Sequence, residues 1–228
     1  MTLFSSIGEF APFIIAILIA LSVHEFSHGF VARRLGDPTA EAEGRLTLNP
    51  LAHLDPLGTL MLLFVGFGWG KPVPVNPLYF RHPKRDTALV SLAGPMSNLL
   101  LAWIGFGGLL LLGSSQLSPS IMGIIRAGST GGIFLMIEQI LRDTIFINLA
   151  LMAFNLLPIA PLDGSKILHM FIPLHHEDAY VEFMRRGPYI LLFLLIADHL
   201  LNVPILFGWI MGIVGPIVAL MNTVAGML

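Results

Sequence analysis

The chain has no cysteine among its 228 residues. That absence excludes a disulfide framework, a thiol nucleophile and a thiolate metal site, so any metal must be held by His, Asp or Glu. Charge is scarce too. Lys, Arg, Asp and Glu make up 11% of the sequence, where soluble domains carry about 25%. The net charge is −2 and there is no basic run, so nucleic acid is not expected as a partner. Internal repeats, low-complexity tracts and an appended soluble domain are not expected either. What the sequence has instead is 55% hydrophobic residues and a mean hydropathy of +0.83. A polytopic membrane protein follows, with the lipid bilayer as its surroundings.

The first apolar run extends from Phe10 to about Ala32 and meets Arg33 and Arg34. At about 1.5 Å per residue it is long enough for a hydrocarbon core of about 30 Å. A cleaved signal peptide is disfavoured, because no basic residue precedes the run. The stretch from Arg33 to Arg85 is rich in proline and holds seven of the 12 basic residues. Within it, Arg45-Leu46-Thr47-Leu48 alternates as a short strand would. Gly58 to Gly70 is apolar but too short to span, and reads as a re-entrant or hairpin element on or in the membrane. A second span is expected from Asp86 to about Gly113, with a kink at Gly94-Pro95. Ser114 to Gly132 reads as a connector. The third span opens between Ile133 and Thr144 and ends at Leu157, before a polar loop over Pro158 to Gly187. Pro188 to Leu201 and Ile205 to Met227 are two more apolar runs. The whole reads as one membrane-embedded domain, with a catalytic core over about 10–166 and C-terminal helices over about 187–227.

Basic residues set the expected orientation. The two long loops hold ten of them against two, Arg126 and Arg142, elsewhere, so these loops lie in the cytosol and the N-terminus outside. The protein is expected as a multi-pass component of the cell inner or plasma membrane.

The first span contains His24-Glu25-Phe26-Ser27-His28, a match to H-E-x-x-H. Residues four apart share a helix face, so His24 and His28 can aim both imidazoles at one ion. Glu25 lies on a neighbouring face, where it can deprotonate an attacking water. Ionisable residues inside an apolar span are costly and default to a functional role; the competing structural role is a buried polar cluster bracing helices. Two imidazoles do not complete a catalytic zinc site, which usually has three protein ligands. Asp163 is the candidate third ligand. Two crossings return the chain to the same side of the bilayer, Pro158 and Pro161 break the helix, and Gly164 permits a tight turn beside the carboxylate. A plain Asp-Gly turn is the competing reading. His53 is a candidate for stabilising an oxyanion, weighed equally against a loop histidine bonded to Asp55 or backbone. Tetrahedral His₂Asp ligation favours zinc, one ion per chain.

In this order and setting, the motifs resemble the site-2 protease family of intramembrane zinc metalloproteases. The likeness is carried by His24 to His28, by Asn155-Leu156-Leu157-Pro158-Ile159-Ala160-Pro161-Leu162-Asp163-Gly164, and by Gly44 to Pro50, His53 to Gly58 and Ala93 to Asn98. It covers roughly Phe10 to Lys166. The resemblance implies a three-helix all-α catalytic core, a small membrane-associated β element between the first two spans, and zinc at His24, His28 and Asp163. It also implies Glu25 as catalytic acid/base, Asn155 as a substrate-binding residue, and single-span membrane proteins as substrates. It does not extend to a PDZ-like insert or a nucleotide-sensing domain, so substrate selection, regulation and oligomeric state stay open. Two other functions fit intramembrane His and Asp: a metal or ion transporter, and an inactive zinc-bearing binding module.

Overall fold

A computed structural model describes residues 7–65, 68–112, 132–200 and 204–227. The connector expected from Ser114, with Arg126 in it, lies outside the described residues apart from Gly132. Among the described residues the chain is helical: α1 (Ile7–Arg34), α2 (Thr39–Ala42), α3 (Pro56–Val65), α4 (Pro83–Leu111), α5 (Ile133–Asn155), α6 (Asp163–His169), α7 (Glu177–Leu200) and α8 (Ile205–Ala225). Segments Ala11–Arg34, Pro83–Leu111 and Ile205–Ala225 are long and apolar enough to cross a membrane. The third expected span is also a single helix, but Glu138, Arg142 and Asp143 make α5 more polar than those three. The protein is thus an all-α polytopic membrane protein.

Three long helices form the centre. Ala16 and Ala20 of α1 pack on Ile147 of α5, because small side chains let helix backbones approach closely where lipid supplies no hydrophobic drive. Ala102, Phe106 and Leu109 of α4 join Ile145, Leu149 and Met152 of α5 and Val214, Val218 and Met221 of α8 in the largest buried cluster. The opposite side of α4 exposes Leu89, Leu92, Met96, Leu100 and Ile104. Their spacing of three to four residues makes one outward stripe, suited to lipid.

Two expectations are revised. Arg45 to Leu48 forms no strand; among the described residues, the β pairing between α1 and α4 is one isolated antiparallel bridge, Leu54 to Gly70, extended by the Lys71 N–H donating to the His53 carbonyl at 2.9 Å. Proline at 72, 74 and 77 supplies no N–H, so a longer ladder has no donors there. The polar loop over Pro158 to Gly187 is largely helical. It holds α6, and α7 begins at Glu177, ahead of the apolar run. Pro188 continues this helix rather than opening it.

Polar contacts tie the start of α7 to the core. The Lys84 ammonium on α4 pairs with Glu177, whose other oxygen lies 2.5 Å from His169 Nε2 on α6. Tyr180 stacks on His169 and donates its hydroxyl to the Ser165 carbonyl at 2.9 Å. The Lys84 and His169 hydrogen bonds hold the Glu177 carboxyl below its ordinary range. A depressed carboxyl adds stability above its unfolded pKa and loses it as pH falls through the folded one. Glu177→Gln is therefore expected to lower the thermal midpoint in detergent at pH 7, and the difference from wild type to vanish on acidification below the glutamate range.

Candidate metal centre

His24 and His28 come from one face of α1, and Asp163 is the first residue of α6. The helix break at Pro158 and Pro161 carries Asp163 back beneath α1. Gly164 makes the approach possible: a Cβ there would lie 2.3 Å and 2.4 Å from the Leu156 and Leu157 carbonyl oxygens at the end of α5. These are backbone atoms that cannot swing away, so only glycine seats α6 so close.

The three donor atoms meet in a near-equilateral triangle. His24 Nε2 and His28 Nε2 are 3.0 Å apart, and Asp163 Oδ2 lies 3.2 Å from the first and 3.1 Å from the second. All three residues are buried. Tetrahedral zinc with bonds of about 2.0 Å places its ligand atoms about 3.3 Å apart, so the triangle has the size such an ion requires.

Their hydrogen bonding supports the same reading. His24 Nδ1 faces Asn98 Oδ1 at 2.5 Å, and His28 Nδ1 faces the Val90 carbonyl at 2.7 Å. Both partners are acceptors, so each Nδ1 carries the proton and each Nε2 presents a lone pair. Asp163 Oδ2, pointing at both, is buried without a hydrogen-bond partner. Three converging lone pairs repel one another unless a cation lies among them. Gly94 on α4 leaves the space open: a Cβ there would come within 2.5 Å of His28 Nε2 and 2.6 Å of His24 Nε2.

Glu25 is buried beside the pair and accepts a hydrogen bond from the Val73 N–H at 2.8 Å. The Arg45 guanidinium donates to the Lys71 carbonyl at 2.9 Å and the Pro72 carbonyl at 3.3 Å, which fixes the segment that presents Val73. His53 is fully buried, with Nε2 2.8 Å from the Thr47 carbonyl and Nδ1 unpartnered. It lies outside the donor triangle, and its ring bonds to backbone, not Asp55. The Asn155 amide donates back to the Leu151 carbonyl at 3.0 Å. Ser22 and Ser27 bond to the carbonyls four residues earlier, so their hydroxyls serve the helix.

Asn98, and Asn148 behind it, had no role assigned from sequence, and Gly94, expected only as part of a kink, makes room for the imidazoles. Asn98 and Gly94 lie within the Ala93 to Asn98 motif, and Asn148 is a lone amide inside an otherwise apolar part of α5, which is itself a signal.

Imidazole and carboxylate donors converging between apolar helices form a candidate metal centre inside a membrane protein. The chain belongs to peptidase family M50, the site-2 protease family, whose model matches residues 12–197. Curated relatives carry the name "Putative zinc metalloprotease". YwhC of Bacillus subtilis is 44% identical over 160 residues, covering 70% of this chain and 68% of its own. Rip2 of Mycobacterium tuberculosis (strain ATCC 25618 / H37Rv) is 34% identical over 213 residues, covering 91% and 73%. MJ0611 of Methanocaldococcus jannaschii is 31% identical over 163 residues, covering 72% of each. No solved structure matches the chain.

Proposed function

We propose that this metalloprotease is an intramembrane zinc endopeptidase, with His24, His28 and Asp163 as ligands and Glu25 as catalytic acid/base. The observation that carries the reading is the buried triangle of three lone pairs, one of them on a carboxylate oxygen with no partner. Its substrates are single-span membrane proteins, cut in or near their transmembrane segments. The site faces the cytosolic side of the inner or plasma membrane, with the N-terminus outside.

Zinc, when bound, supplies Lewis-acid polarisation of the scissile carbonyl and acidifies the attacking water. The chain's own residues do the rest. Glu25 accepts the water proton and delivers it to the leaving amine, while the Val73 amide holds its carboxylate in place. A helical substrate hides its carbonyls in its own hydrogen bonds, so it unwinds first. The Asn155 amide then takes up bonds it loses. Asn155→Ala is expected to slow cleavage without emptying the metal site; loss of zinc in that variant would make Asn155 structural.

The test is reconstitution in liposomes with a panel of single-span peptides. Cleavage that a chelator stops and zinc restores is the expected result. Metal flux across the vesicle, with every peptide left intact, would favour the transporter reading instead.

A further inference from the structure

We propose that Asn148, which does not touch the donor triangle, decides which nitrogen of His24 carries the proton and thereby sets the affinity of the centre for its metal. The inference rests on the metal centre proposed above. It begins from an ambiguity in Asn98. That side chain has one accepting and one donating end, and only the accepting end, turned towards His24 Nδ1, leaves the Nε2 lone pair free for an ion.

The structure removes the ambiguity one helix away. Asn148 on α5 donates its Nδ2 to the Thr144 carbonyl at 2.8 Å. This backbone oxygen can only accept, so Asn148 Oδ1 must point the other way. There it receives Asn98 Nδ2 at 2.7 Å. With its donating end engaged, Asn98 presents Oδ1 to His24 Nδ1 at 2.5 Å. A further contact of Asn98 Nδ2, to the Ala20 carbonyl, is long at 3.4 Å. Asn98 and Asn148 are both 0% exposed, so no water competes for either amide. The relay runs from a helix carbonyl on α5 through two amides to the imidazole, and each link dictates the polarity of the next.

Without the Asn148 acceptor, Asn98 is free to turn over. Its N–H then faces Nδ1, the imidazole proton moves to Nε2, and the lone pair meant for the ion is lost. Replacing a residue that orients a metal-binding imidazole typically lowers metal affinity about 10–100-fold.

Zinc affinity is measured in detergent by competition with a chromogenic chelator, and the apoprotein's thermal midpoint is recorded alongside. Asn148→Leu is expected to weaken zinc at least tenfold. Asn148→Asp, whose neutral acid reproduces both contacts at the same volume, should stay within about threefold of wild type. The decisive comparison is made in an Asn98→Asp background. A carboxylate has no donating end to misplace, so adding Asn148→Leu there should cost no affinity, or improve it by removing an opposed oxygen. Equal losses from Asn148→Leu in both backgrounds, or a tenfold loss from Asn148→Asp, would overturn the proposal; if leucine does not fold, the aspartate variant decides. Wild type that binds no more zinc than a His24→Ala, His28→Ala variant would instead remove the metal centre itself.

Discussion

Glu25→Gln is expected to keep the metal and lose the reaction. The substitution preserves length and volume, and an amide oxygen can still accept from the Val73 N–H at the present 2.8 Å. None of the three donor atoms belongs to Glu25, so zinc content and thermal midpoint should match wild type. What disappears is the basic oxygen that takes the water proton and returns it to the leaving amine. Removal of a positioned general base lowers rate by about 10²–10⁴-fold. Zinc content by atomic absorption, together with cleavage of the best peptide from the panel, measures both halves. Residual activity within tenfold of wild type would remove Glu25 from the catalytic role. A partner-holding module, by contrast, would bind its membrane partner equally well with either residue.

Gly94→Ala should produce the opposite pattern, in which the metal is lost first. The added methyl would sit 2.5 Å from His28 Nε2 and 2.6 Å from His24 Cε1 and Nε2. Both rings are held from behind, by the Val90 carbonyl and by Asn98, so neither can retreat without breaking a buried hydrogen bond. Overpacking of this kind costs about 1–3 kcal/mol, and the displaced nitrogens no longer meet at one point. Zinc affinity is expected to fall at least about 100-fold, at the upper end of what loss of an orienting partner does, with a modest drop in the thermal midpoint. Chelator competition and differential scanning fluorimetry measure the two. Near-wild-type zinc binding would mean that α4 yields at Gly94 and does not shape the site.

How far the sequence led depended on the kind of contact involved. His24 and His28 could be read because helix periodicity alone puts them together. Asp163 needed a longer chain of reasoning, from two crossings and a proline break, yet each step was local. The relay behind His24 was not readable, because it depends on which helix faces stand opposite one another. Asn98 and Asn148 are 50 residues apart, and nothing along the chain orients one amide against the other. Arg45 to Leu48 failed in the other direction. Its alternation suits a strand, but its Arg45 and Leu46 N–H groups donate to the Ala40 carbonyl, and prolines 72, 74 and 77 offer none in return. The start of α7 was hidden by Gly187-Pro188, read as a boundary, where the helix instead runs through.

The donor triangle also has a temporal consequence. Asp163 follows His28 by 135 residues, and α1, α4 and α5 must be packed side by side before Asn148 can reach Asn98 and Asn98 can reach His24. A chain that has delivered only its opening helix to the bilayer therefore carries His24, Glu25 and His28 but not the complete donor set. On the proposed reading, cleavage therefore requires the helices that carry Asn98 and Asn148 and the break that delivers Asp163, and not the opening helix alone.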